Sequence, residues 1–299
     1  MHVYLGKCIV HFFFDLLSWH AFVPSSPLIC FCVGTKRLPG CFQKLGADVA
    51  KSPADVAAAC PEIVLMLPSK DEVDDVFSRD DGILSTIKAG TLCIDCSTVD
   101  YGFTKSLSER IEAKTAHYVD APASGGVLAA KRASLTFMIG GDHLSYHRAK
   151  ALLVLLGRHI VHCGPVGSGQ AATMCNRLLF CAQMIGLSEV LNLAEKLGIS
   201  PDLMTSVINL SSGRCFASEN YNPVPGLNED VPASRGYTKG LKCHHAAKHL
   251  QLAQYAAMKT GTAIPLTSLA SQIYRLLGNS SKYRDLDVSA VIKFLKGEE

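Results

Sequence analysis

The chain reads as a parallel-rich α/β domain followed by an all-helical one, and three features predict this. Short apolar runs alternate with helical stretches from residue 60 to 163. Residues 168–197 are almost all helix formers and stay apolar around much of the circumference. Beyond them every further element has helical periodicity. Alternating β and α units give a sheet covered on both faces, and a helix that is apolar on most sides is buried between units.

The elements follow in order. Glu62–Met66 is a short apolar run closed by Leu67-Pro68. Thr91–Asp95 is a second, followed by Ser97-Thr98 and an amphipathic helix over 101–114. His117–Asp120 is a third, leading into Pro122 and the pair Gly125-Gly126. Leu135–Ile139 is a fourth, ended by Gly140-Gly141, and a helix over 143–156 precedes a fifth strand at His159–Cys163. Further helices are expected at 201–210, 239–259, 265–277 and 287–296, with Asn222-Pro-Val-Pro-Gly226 marking an irregular stretch between them. The boundary is placed near residue 165, giving a Rossmann-like domain over 1–165 and an all-α domain over 166–299. Residues 1–26 are atypical. The strand and glycine-rich loop that should open a Rossmann-like domain are missing there, and Gly6 is the sole glycine. A sheet without its first strand has an edge or a gap, so a marginally stable first domain is expected.

Composition narrows the function classes. A length of 299 residues suits two domains, and 48% hydrophobic with 18% charged residues describes a folded globular chain. A net charge of +3, with no Lys/Arg run interleaved with aromatics, argues against a nucleic-acid partner. The apolar stretch 8–33 is broken by Asp15, Pro24 and Pro27, so no membrane span is expected. That stretch has no arginine before Arg37 and does not look like a mitochondrial transit peptide, which leaves a cytoplasmic location open. Twelve cysteines sit mostly inside apolar runs, as small buried hydrophobes in a reducing compartment rather than a disulfide framework. Cys93 and Cys96 form a lone C-x-x-C, and Cys243, His244, His245 and His249 cluster without a carboxylate. Neither group reads as a metal site.

The motifs point to a small-molecule site. Gly167, Gly169 and Ala172 match G-x-G-x-x-[GA], with Glu189 about twenty residues on. A dinucleotide fingerprint needs a second strand ending at the acidic residue, whereas here the helix runs past Glu189, so the glycines read as the turn into the long helix. Leu67-Pro68, Ser97-Thr98 and Ser124-Gly125-Gly126 each follow a strand, and ligands of open α/β sheets bind beyond the carboxyl ends of strands. Gly125 and Gly126 let backbone N–H groups approach an anion such as a carboxylate. Thr173 and Asn176 are three apart and share one helical face.

Together these residues resemble the β-hydroxyacid dehydrogenases, and within them the 3-hydroxyisobutyrate dehydrogenase branch. The matching pieces are M-L-P (66–68), I-D-C-S-T (94–98), D-A-P-A-S-G-G (120–126), L-T-F-M-I-G-G (135–141) and G-x-G-Q-A-A (167–172). L-S-S-G-R-C (210–215), Y-N-P-V-P-G (221–226) and A-K-H-L (247–250) follow, and the resemblance is colinear from about residue 42 to 295. It implies NAD-dependent oxidation of 3-hydroxyisobutyrate to methylmalonate semialdehyde in valine breakdown, in the mitochondrial matrix, by a homo-oligomer. By position, Leu67, Pro68 and Thr98 would line the cofactor, with Lys248 reaching toward it. Ser124, Gly125, Gly126 and Asn176 would hold the small hydroxy acid substrate.

Departures from the family pattern bear on activity. The family's catalytic lysine falls at Thr173, and a hydroxyl of very high pKa is a poor general base. Pro27–Val33 keeps the second strand of the first unit, with Cys32 where the family has its ribose-binding Asp. His249 replaces the usual Asp after Lys248, and Ala133 stands where the family has glycine. The alternative reading is a catalytically impaired relative that binds a small acid or a partner protein. A third reading takes residues 1–26 as the product of a wrong first exon.

Overall fold

The computed structural model describes residues 8–11, 30–33 and 48–298. The chain divides into two compact units, Met1–Thr173 and Met174–Glu299. The division falls inside a helix, a little beyond the expected 165.

In the first unit the strands are β1 (Cys8–His11), β2 (Cys30–Val33), β3 (Asp48–Val49), β4 (Glu62–Met66), β5 (Leu92–Asp95), β6 (His117–Asp120), β7 (Ala123–Ser124), β8 (Leu135–Gly140) and β9 (Gly157–Gly164). The helices are α1 (Pro53–Ala59), α2 (Lys70–Ser78), α3 (Ile83–Thr86), α4 (Tyr101–Glu112), α5 (Gly126–Lys131) and α6 (His143–Leu153), and α7 (Ser168–Lys196) begins here. Among the described residues one sheet runs β3-β2-β1-β4-β5-β6-β8-β7, with β9 on β8. From β3 to β6 all pairs are parallel, while β8 lies antiparallel to β6 and β7.

The first strand is present, contrary to the expectation of a gap. Cys8–His11 lies mid-sheet, pairing Val10 with Cys32 on one side and with Leu65 on the other. Periodicity hid it because a short buried strand inside a long apolar run has no alternation to mark it. The expected second strand is observed at Cys30–Val33. The segment that would carry a glycine-rich loop, residues 12–29, lies outside the described residues and contains no glycine.

Both sheet faces are covered. Ile63, Leu65, Cys93 and Tyr118 pack into one core, and Val64, Ile94, Val119 and Phe137 into the other. Strands buried on both sides read as unbroken apolar runs, which is why the parallel strands were legible. Cys93 and Cys96 fall into different cores with free thiols, both pushed upward by burial, so the C-x-x-C is not a reactive pair. Cys60 departs from the reduced pattern. It is disulfide-bonded.

One buried carboxylate seats α7. Gly167 supplies the first carbonyl of that helix, bonded by Ala171 N–H at 3.0 Å, but glycine has no side chain to cap the open amides. Asp120, at the end of β6, takes this role. Its Oδ1 accepts the Gly167 N–H at 2.6 Å and its Oδ2 the Gln170 N–H at 2.8 Å. The positive end of the helix dipole favours a carboxylate at this point. The approach is close: a Cβ on Gly169 would run into the Met138 carbonyl and lie 2.8 Å from Asp120 Oδ2. G-x-G here is a packing requirement. Burial raises the Asp120 carboxyl to about 6 against the two backbone hydrogen bonds, which pull it down.

The second unit holds the rest of α7 with α8 (Pro201–Leu210), α9 (Phe216–Asn220), α10 (Cys243–Thr260), α11 (Pro265–Asn279) and α12 (Val291–Lys296). α7 is long and apolar enough to cross a membrane by composition alone. Its Cys181, Met184 and Leu191 instead pack with Tyr274, Leu277 and Val291 in the core of this unit. Helix α10 begins later than the expected 239 because Tyr237 and Lys239 sit at φ +60°, which no helix interior tolerates. The branch motif Y-N-P-V-P-G is structural. Tyr221 donates to buried Asp287 at 2.9 Å, and buried Asn222 bonds Thr205 Oγ1 at 3.1 Å and the Val224 N–H at 3.0 Å.

Two stability predictions follow from these geometries. Ala133 closes the turn after α5 at φ +48°, a region that penalises a Cβ. Ala133→Gly should stabilise by about 0.5–1 kcal/mol, read as a raised Tm, and an unchanged or lower Tm contradicts the strain. For Asp120 the folded value near 6 exceeds the ordinary carboxylate value. Its contribution is therefore full below about pH 4 and lost as pH rises through about 6, a fall of about 3 kcal/mol. Asp120→Asn opposes one helix N–H with an amide donor and should cost about 1–3 kcal/mol at pH 4.5. Because Asn does not titrate, the gap to wild type should narrow by pH 7.5. Denaturant unfolding at both values checks this, and a widening gap contradicts it.

Candidate active site

The ends of β4 and β5 meet the start of α7 through buried side chains. Leu67 follows β4, and its N–H donates to Ser97 Oγ at 2.9 Å. Ser97 follows β5, and its N–H donates to Asp95 Oδ1 at 2.9 Å. Tyr118 donates to the other Asp95 oxygen at 3.0 Å. Gln170, in the first turn of α7, donates through Nε2 to the Ser97 carbonyl at 2.8 Å and accepts the Val99 N–H at 3.3 Å. Asp95, Ser97 and Gln170 are all buried. Burial raises the Asp95 carboxyl above its ordinary value, opposed by the Ser97 and Tyr118 hydrogen bonds. The network holds Leu67-Pro68 and Ser97-Thr98 as two fixed turns at the carboxyl edge of the sheet, with Pro68 exposed and Thr98 half-buried.

The Ser124-Gly125-Gly126 turn lies farther along the β8 edge that β6 also pairs with, where Ser124 pairs with Thr136. Gly125 adopts φ +132°, and a Cβ there would lie 2.6 Å from the Ala129 Cβ, so the turn into α5 requires glycine. Both glycines are exposed, leaving their backbone accessible to an anionic ligand.

Thr173 is 1% exposed and donates its hydroxyl to Met138 Sδ at 3.4 Å. That contact satisfies the O–H in a weak bond to a thioether. Among the described residues no base accepts its proton, so their geometry gives this hydroxyl no activation.

In the second unit Asn176 and Lys248 are exposed, on α7 and α10 respectively. Their chain neighbours touch. Arg177 Nη1 lies 2.6 Å from His249 Nδ1 and 3.0 Å from Nε2. Burial and the Arg177 charge hold His249 well below the ordinary imidazole value, and burial with neighbouring cations lowers His245 to about 4. Among the described residues no group of three or more His, Cys, Asp or Glu side chains is placed to hold a metal.

Asp120, Asp95 and Gln170 were not singled out as functional from the sequence, and Ser97 was expected only as part of the Ser97-Thr98 turn. Their signal was present as polar residues inside otherwise apolar strand ends, within the D-A-P-A-S-G-G, I-D-C-S-T and G-x-G-Q-A-A pieces.

A nicotinamide cofactor can be tested against this arrangement. The strand order places β1 between β2 and β4, so the connections leave β1 and β4 toward opposite sides of the sheet, which is where dinucleotides bind in such folds. Leu67-Pro68 and Ser97-Thr98 sit at that edge and fit the nicotinamide end. For the pyrophosphate, the chain after β1 offers no glycine before Gly34.

Comparisons with known proteins agree with this layout. A family model described as the NAD binding domain of 6-phosphogluconate dehydrogenase matches residues 33–164. A second, described as NAD-binding of NADP-dependent 3-hydroxyisobutyrate dehydrogenase, matches residues 167–295. Mitochondrial 3-hydroxyisobutyrate dehydrogenase of Rattus norvegicus is 44% identical over 86% of this chain and 77% of its own length. An NAD-dependent L-serine dehydrogenase of Pseudomonas aeruginosa is 38% identical over 83% of each chain. The solved structure of Mycobacterium tuberculosis 3-hydroxyisobutyrate dehydrogenase with L-serine superposes with TM-score 0.87 and 31% identity, covering 98% of this chain and all of that one. With its sheet order, its buried strand-end network and this degree of identity, the chain belongs to the 3-hydroxyisobutyrate dehydrogenase family.

Proposed function

We propose that the chain is an NAD-linked hydroxyacid dehydrogenase that takes 3-hydroxyisobutyrate to methylmalonate semialdehyde, with its proton-transfer step slowed by Thr173. The buried Ser97–Gln170 network, which presents the Leu67-Pro68 and Ser97-Thr98 turns, carries this reading. Leu67, Pro68 and Thr98 hold the nicotinamide end of the cofactor, and Lys248 assists. Ser124, Gly125 and Gly126 receive the substrate carboxylate, and Asn176 bonds its hydroxyl. Bound NAD supplies the hydride acceptor. The hydroxyl proton must leave as the hydride does, and the family lysine that would take it is replaced by Thr173, whose hydroxyl is engaged with Met138. Loss of a general acid–base group costs about 10²–10⁴-fold in rate.

That same Thr173 contact favours a second reading, a relative that binds the acid without turning it over. The serine-linked relatives add L-serine as a rival substrate, since it too is a 3-hydroxy acid. The names of the rat and human relatives support the mitochondrion and a place in valine breakdown. Exposed Leu193, Leu210, Met258 and Leu266 on the helical unit support contact with a second copy of the chain.

NADH formation from 3-hydroxyisobutyrate and from L-serine tests the proposal in wild type and Thr173→Lys. The variant should raise kcat by about 10²–10⁴-fold with little change in KM. A variant that binds NADH yet gains no turnover would leave the non-catalytic reading standing. A wild type as fast as the variant would remove Thr173 from the chemistry.

A further inference from the structure

Helix α6 carries two exposed imidazoles one turn apart, His143 and His147. Side chains at i and i+4 lie one above the other on a helix face. The two ring centres are 4.5 Å apart, with their planes at 60°. A transition ion sits about 2.0–2.1 Å from the ring nitrogen that binds it, and so roughly 3.2 Å from that ring's centre. Two rings that share one ion, at angles between square and tetrahedral, therefore have centres roughly 4.5–5.2 Å apart. The observed separation falls in that range.

The neighbours leave the pair available. Among the described residues His143 and His147 make ring contacts only, with each other, Tyr146 and His162, and neither is committed to a hydrogen bond or ion pair. His162, on β9, stands 6.0 Å from His143, and its Nε2 lies 2.8 Å from the Gly141 carbonyl, so it is engaged elsewhere. Asp142 precedes His143 and caps α6. Burial works against its charge, but the bonds from Ser145 and Leu144 hold its carboxyl below the ordinary carboxylate value. An ionised carboxylate next in the chain to the pair favours a cation there. The other i, i+4 pair among the described residues, His245 and His249 on α10, is taken up, since Arg177 Nη1 lies 2.6 Å from His249 Nδ1.

We propose that His143 and His147 chelate one divalent late transition ion, Zn²⁺, Ni²⁺ or Cu²⁺, on the exposed face of α6. Imidazole nitrogen suits these ions, whereas Mg²⁺ and Ca²⁺ take oxygen ligands. Two side chains are the whole protein ligand set. Water completes the coordination, so the ion exchanges with the solution. The site lies within the first unit and depends on neither the cofactor nor the substrate reading.

Ni²⁺ titrated at pH 7.5 into the isotope-labelled full chain tests this, because the paramagnetic ion broadens the signals of the rings that hold it. Single His→Gln variants assign the rings of His143, His147 and His159. His159, exposed on β9, serves as a lone imidazole for reference. The signals of His143 and His147 should vanish together, at a Ni²⁺ concentration at least about tenfold below that needed for His159, because the second arm of a chelate binds at high effective concentration. Zn²⁺, which is diamagnetic, should displace Ni²⁺ and restore both signals. In His147→Gln the His143 ring should need at least about tenfold more Ni²⁺, and the same should hold for His147 in His143→Gln. Both positions are exposed, so the variants keep the packing of α6. Broadening of the pair only at the concentration that broadens His159, or a His143 response that His147→Gln leaves unchanged, would overturn the proposal.

Discussion

A single buried carboxylate organises the strand-end edge of the first unit. Asp120 is fully buried at the end of β6 and receives two amides from the opening turn of α7. The helix cannot cap itself, because its first carbonyl belongs to Gly167. Neither Gly140 nor Gly169 could carry a Cβ without meeting the Asp120 carboxylate. Once the helix is fixed there, Gln170 reaches Ser97 and Val99, Ser97 reaches Leu67, and the side chain at 173 meets Met138. Displacing the carboxylate would release each of these contacts in turn.

That order of dependence separates binding from chemistry. The turns proposed to receive ligands are set by backbone and by buried polar groups. The proton-handling side chain is a single position on an otherwise intact helix, and a threonine fits it without disturbing the packing. The absence of glycine after β1 is a separate loss, at the pyrophosphate end of the cofactor.

The parallel strands β4 to β6 and the long helix were legible in the sequence because burial on both faces leaves unbroken apolar runs. The rejection of Gly167-x-Gly169 as a dinucleotide loop rested on the helix continuing past Glu189, and α7 does continue to Lys196. β1 was not legible, since its four residues carry no boundary within a longer apolar stretch. The two-residue β7 was too short to show a period, and its place beside β8 depends on tertiary pairing. Of the site, the strand-end turns were visible as motifs. The roles of Asp95, Asp120 and Gln170 were not, because they depend on partners 23, 47 and 73 positions away in the chain. The contact between Arg177 and His249 was likewise hidden, because it joins residues 72 positions apart on α7 and α10.

Calorimetric titration of NADH into the wild-type chain tests most directly whether the proposed cofactor site binds its ligand with threonine at 173. Saturable binding at one NADH per chain is the predicted result. A titration with no heat of binding from correctly folded protein would contradict the account.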